Sequence, residues 1–204
     1  MTKAIAPSAT LNALRVGILF FIVSLTSGCL MAQYTAGTLA VVDIANDRVS
    51  AGVLFDDTRL ELTLLGKIHN DEEINKQSHI NVNIKNGVIL LTGESPRREI
   101  TERILTLART FEHTRQIVNQ IATIKISDNK SRARDLWLLG RVKWALVTSD
   151  DFDEKVQANT SVIVERGIVY LMGIVTREEA RVATDIIRKV PMVKKIIRVF
   201  EYLD

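Results

Sequence analysis

INVNIKNGVILLTG, residues 80–93, and SVIVERGIVYLMG, residues 161–173, are two copies of one pattern, and their recurrence decides how this 204-residue chain is built. In each copy apolar residues alternate with polar ones (Ile80, Val82, Ile84; then Val162, Val164). A turn dipeptide follows, and then a second apolar run ending in glycine. Period-two alternation running into Asn86-Gly87 is a β-hairpin signal, because a tight primed turn needs two residues at positive φ. Arg166-Gly167 keeps the glycine in the second of those places. Gly93 and Gly173 are expected to close the second strand.

The repeat extends outward from the hairpins. Amphipathic stretches follow at 98–109 and 177–188, then β-branched runs at 116–126 and 195–202; DTRLELTLLGKI from Asp57 and DLWLLGRVKWAL from Asp135 precede. Each unit reads helix, strand, strand, helix, strand over about 70 residues, near the lower end of what folds alone. The fold class expected is α+β, two tandem small domains, each with two helices packed on a three-stranded mixed sheet. This order of elements, with its NG-V-x-L-x-G hairpin and closing apolar strand, resembles the BON domain of bacterial envelope proteins. The divisions expected are residues 56–126 and 135–204 for the domains and 127–134, SDNKSRAR, for a polar linker.

With 47% hydrophobic residues the chain can bury a sizeable core, and its length suits two small domains better than one large one. Charge is unevenly spread. Residues 30–123 carry 10 basic and 12 acidic side chains, residues 124–204 carry 15 and 12, so the second repeat is the one suited to an anionic partner.

Residues 1–28 read as a signal peptide: Lys3 and Arg15 flank VGILFFIVSL, residues 16–25, an apolar run short of the roughly 20 residues a membrane span needs. The chain's single cysteine, Cys29, cannot form an internal disulfide. Leu25-Thr26-Ser27-Gly28-Cys29 resembles the lipobox of bacterial lipoproteins, which implies acylation of Cys29. Leu30, where aspartate would signal retention, then implies export to the outer membrane, with the protein facing the periplasm. Residues 29–55 read as a lipidated tether with little fixed structure, adding an edge strand near Val53 to Phe55.

Little in the sequence points to catalysis. His69, His79 and His113 lie in a helix end, a strand start and a turn of the first repeat, without metal-ligand spacing, and read as surface residues. No GxSxG elbow is present, and Ser95, followed by Pro96, is expected to cap the next helix. Glu94 and Glu99 read as solvated helix-start charges. Thr176 with Glu179 three residues on is a capping box. Gly87, Gly93, Gly167 and Gly173 sit in turns and strands and open no phosphate loop. The strands lack the stacking aromatics of an RNA reader. No catalytic residue, metal, cofactor, small-molecule substrate or nucleic acid is expected.

The informative difference between the repeats lies in the first helix. Setting Asp57 against Asp135 matches Leu60, Leu64 and Ile68 with Leu138, Val142 and Leu146, a stripe of period four that defines a core face. Trp137 then stands opposite Arg59 and Trp144 opposite Gly66, so both of the chain's tryptophans occupy places where the first repeat needs nothing apolar. They share a face with Gly140 beside Arg141, turned away from Val142, and Arg141 and Lys143 are the cations expected to add charge to a lipid contact. A ring beside a cation suits a lipid headgroup layer; packing of the rings on the first domain, the linker or the final strand is the alternative. In two-domain lipoproteins of the BON family this helix binds anionic phospholipid, phosphatidylglycerol in particular. The resemblance implies contacts at Trp137, Val142 and Val147. A rival function is a protein adaptor whose tryptophan helix docks on an envelope partner or on another copy of itself.

Overall fold

The computed structural model describes residues 48–203. The expected signal peptide, Cys29 and most of the expected tether lie outside them. Helix α1 (Ala51–Asn70) begins under Ser50, whose hydroxyl accepts from the Val53 amide at 3.3 Å. Val53 to Phe55 are therefore helical and form no edge strand. The stripe Leu60, Leu64, Ile68 turns inward, with Leu64 and Ile68 buried. A short α2 (Glu72–Gln77) follows, capped by Asp71, where a plain connection was expected. Strands β1 (His79–Lys85) and β2 (Val88–Glu94) form the hairpin; α3 (Arg98–Arg109) leads to β3 (Gln116–Ala122), which pairs parallel to β2.

The second repeat follows the same plan with α4 (Asn129–Val147), α5 (Glu154–Asn159), β4 (Thr160–Glu165), β5 (Ile168–Val175), α6 (Arg177–Arg188) and β6 (Lys195–Tyr202). Each sheet has three strands with the second in the centre, antiparallel to the first and parallel to the third. The fold is two tandem α+β repeats, each carrying one short helix more than expected. The linker is shorter than 127–134, because Asp128 caps α4 by accepting from the Ser131 amide at 2.8 Å and residues from Asn129 onward are helical.

Asn86 and Gly87 have φ 49° and 72°, Arg166 and Gly167 φ 55° and 76°, the left-handed pairs of primed turns. A carboxylate from the first helix of each repeat, α1 or α4, fastens each turn. Asp57 accepts from the Asn86 and Gly87 amides at 2.5 and 2.9 Å, and Asp135 accepts from Arg166 and Gly167 at 2.8 Å each. Two turn amides that a tight hairpin leaves unpaired are thereby satisfied. Gly93 and Gly173 do not close their strands. Both lie within them, at φ 121° and 145°, where a Cβ would stand 2.0 Å from the carbonyl oxygens of His79 and Asn159.

Two further expectations change. Ser95 does not cap α3: it is buried, its hydroxyl donates to the Arg97 carbonyl at 3.0 Å, and Arg97 holds the cap position without a side-chain bond. Glu94 is fully buried rather than solvated, and accepts from the Ser127 amide at 2.5 Å. Glu99 is exposed. The capping box forms as read, with Thr176 accepting from the Glu179 amide at 3.2 Å and Glu179 accepting from the Thr176 amide at 2.7 Å.

Apolar burial explains why the central strands are continuous hydrophobic runs rather than alternating ones. Ile89 and Leu91 face the helices of the first repeat, while Val88 and Leu90 pack against Tyr170 and Met172 of the second, so the sheets lie back to back and β2 is buried on both faces. Polar contacts frame this seam. Asn81 donates to Glu165 at 2.8 Å, Asn86 to Glu201 at 2.7 Å, and Arg115 pairs with Glu201 at 2.6 Å. The chain entering α1 is pinned as well: Arg48 makes a two-pronged pair with Glu179, 2.6 Å on each prong, and donates to the Ile174 carbonyl at 2.8 Å. Both cores and both sheets are complete within Ile44–Asp204, one compact unit. Among the described residues no helix is long and apolar enough to cross a membrane.

Candidate functional site

Helix α4 carries two faces about 150° apart at 100° per residue, and the sequence determines which looks inward. Leu138, Val142 and Leu146 lie in the core of the second repeat, packed with Val169, Leu171 and Ile187. Each outward residue that follows or precedes this stripe is then rotated toward solvent. Trp137 is 50% exposed and Trp144 70% exposed, so neither ring is absorbed by the first domain, the linker or the final strand. The Arg141 guanidinium lies 4.9 Å from the centre of the Trp137 ring, a cation–π stack that holds a charge beside an apolar plate.

Val142 has no exposed surface and is withdrawn from the contact set. Its methyl groups fill the core, and removing them to reach a ligand would open a cavity there. Val147 is 61% exposed and Lys143 is exposed, yet both sit on the flank of the helix away from Arg141.

Trp137, Gly140, Arg141 and Trp144 form one wall of an open groove of about 830 Å³ whose other wall is the C-terminal end of α6, with Lys189 and Pro191. Gly140 has no heavy atom within 4 Å of where a Cβ would stand, so packing does not demand glycine there; its small size leaves the groove open between the rings. Leu136, 71% exposed, adds a further apolar side chain at the rim. Two aromatic plates, an aliphatic rim and a cation suit an amphiphile with a negative head.

Reading the sequence missed the second wall. Its signal was available in the same repeat alignment, carried past the last helix: Lys189 and Pro191 stand opposite Thr110 and Glu112. The acids of the interdomain seam were missed too. Burial raises the Glu165 carboxyl to about 7, reinforced by the charges of Asp135 and Glu94 and opposed by the hydrogen bond from Asn81. Half-burial also lowers His79, which is thus not a simple surface histidine.

The matches to known proteins run along both repeats. The BON domain family model matches residues 56–125 and again 134–204. The chain is 32% identical over 178 residues to the outer membrane lipoprotein DolP of Haemophilus influenzae, covering 87% of this chain and 90% of that one. It is 30% identical over 157 residues to the 21 kDa hemolysin of Actinobacillus pleuropneumoniae, covering 77% and 79%. The C-terminal domain of CdsD, a type III secretion structural protein of Chlamydia trachomatis, aligns over 72% of this chain and 67% of its own at 13% identity and a TM-score of 0.28, too remote to inform the site. With two hairpins of one pattern, two mixed sheets and two family matches along one chain, this protein belongs to the BON-domain family, as a tandem, DolP-like member.

Proposed function

We propose that this chain is a non-catalytic, lipid-anchored protein of the outer membrane that faces the periplasm, binds anionic phospholipid through α4 and supports the integrity of that membrane. The anchor is acylated Cys29, and the location follows the relative named as an outer membrane lipoprotein. The observation that carries the phospholipid reading is the exposure of Trp137 and Trp144 on one side of a helix whose other side is the core. Burying two indole rings in the interface, with Arg141 held at phosphate height, stabilises the bound state by area and by charge together. Phosphatidylglycerol, with one net negative charge and a small headgroup, suits a groove with a weak positive balance.

Residues 44–204, which lack Cys29 and the signal peptide, should float with phosphatidylglycerol vesicles and remain at the bottom with phosphatidylcholine vesicles. Association with neither would hand the tryptophan helix to a protein partner, the adaptor role. Equal association with both would remove the anionic preference.

A further inference from the structure

The groove's second wall differs between the repeats as sharply as α4 does. The loops that join the last helix of each repeat to its last strand are equally long, because α3 and α6 end at Arg109 and Arg188 and β3 and β6 begin at Gln116 and Lys195. They align without a gap, so Lys189, Pro191 and Met192 take the places of Thr110, Glu112 and His113. At these three places the first repeat carries no apolar side chain and no lysine or arginine. Nothing in the fold therefore requires a cation, a proline and a thioether there.

Met192 carries a second sign. It is 53% exposed and has φ 75°, a left-handed conformation that an unbranched side chain adopts at a cost. Among the described residues the other non-glycines at positive φ are Asn86 and Arg166, both in primed turns that demand it. His113 holds the equivalent place without it. The strained loop thus displays an exposed apolar side chain directly after Pro191, which itself lines the groove.

Charge selects the occupant. Arg141 on one wall and Lys189 on the other face a groove with one acid, Asp151. The corresponding groove of the first repeat, about 450 Å³, is lined by Asp56, Asp57 and Glu112 against Arg59, and repels what the second attracts. We propose, resting on the phospholipid reading above, that the α6–β6 loop is the second wall of the lipid site: Lys189 shares the headgroup phosphate with Arg141, and Met192 enters the interfacial layer with the two tryptophans. The site then grips a headgroup from two sides, and the loop sets how the second domain tilts on the membrane.

Met192→Gly separates this role from a structural one, since glycine relieves the positive φ while removing the inserted group. On residues 44–204, Met192→Gly should weaken binding to phosphatidylglycerol vesicles roughly tenfold with an unchanged or raised unfolding midpoint. Lys189→Gln should weaken it roughly fivefold and flatten its salt dependence, and Lys189→Arg should restore it. This unit lacks cysteine. An environment-sensitive fluorophore on Met192→Cys should therefore report a blue shift on vesicle addition, and one on His113→Cys should not. Should Trp137→Ala lose binding while Met192→Gly and Lys189→Gln bind as the parent does and the probe at 192 stays unshifted, the loop proposal is overturned and the α4 reading stands. Absence of vesicle binding by the parent itself would overturn both.

Discussion

Glycine 93 and its counterpart Gly173 impose the tightest constraint of any single position, and they outrank the turn glycines that make the hairpins recognisable. A Cβ at Gly93 would stand 2.0 Å from the His79 carbonyl oxygen, a backbone atom in the paired strand that cannot step aside. At Gly87 the nearest obstacle is the His113 carbonyl at 2.8 Å, and at Gly167 only the flexible Lys194 side chain at 3.1 Å. Gly93→Ala and Gly173→Ala should therefore cost roughly 3 kcal/mol or more, and Gly167→Ala about 1 kcal/mol, the plain cost of a left-handed alanine. Chemical denaturation of the three alanine variants checks this order, and a Gly93→Ala protein within about 1 kcal/mol of the parent would contradict it. The glycines were visible in the sequence. Their rank was not, because it depends on a carbonyl in the facing strand.

Elements were legible where periodicity and turn chemistry act locally. The hairpins, the stripe Leu138, Val142, Leu146 and the capping box at Thr176 all follow from spacing of a few residues. Where a partner lies far along the chain, local reading failed. Polar residues 129–134 looked like a linker, yet Asp128 caps them into the first turns of α4, and Arg132 donates to the Ser127 carbonyl at 3.2 Å. Ser95 had the composition of a cap, but the chain runs on past Pro96 before turning, which leaves Ser95 buried. Asp57 and Asp135 were matched as repeat markers without a role. Their clasp on turns 29 to 32 residues away needs the helix laid against the hairpin. For α4 the outward face was legible and its partner wall was not, since α6 reaches it only through the tertiary fold.

At the scale of the whole molecule, the back-to-back sheets make the two repeats one body, and a titratable group sits in their seam. Glu165 is buried, with Asp135 and Glu94 nearby and Asn81 donating to it across the seam. Its folded value of about 7 lies above the ordinary 4.5, so the native state holds the proton more tightly. The stabilisation this gives is complete below about pH 4.5 and is lost as pH rises through 7. The clamp between Arg48 and Glu179 does not follow, because hydrogen bonding to Arg48 holds the Glu179 carboxyl at about 2. His79, lowered by burial, acts oppositely as pH falls below 6.5. The difference between parent and Glu165→Gln isolates the acid: thermal melts should show the variant gaining on the parent by on the order of 2 kcal/mol between pH 5 and 8. A constant difference across that range would refute the assignment. The central claim, that α4 presents its tryptophans to an anionic membrane, is tested most directly by measuring vesicle binding and chemical denaturation on the same Trp137→Ala and Trp144→Ala proteins. Exposure of 50% and 70% calls for binding to phosphatidylglycerol vesicles weakened by roughly 1 to 3 kcal/mol with stability unchanged to within about 0.5 kcal/mol. A stability loss of about 3 to 5 kcal/mol, the cost of truncating a buried tryptophan, or vesicle binding equal to that of the parent, would contradict it.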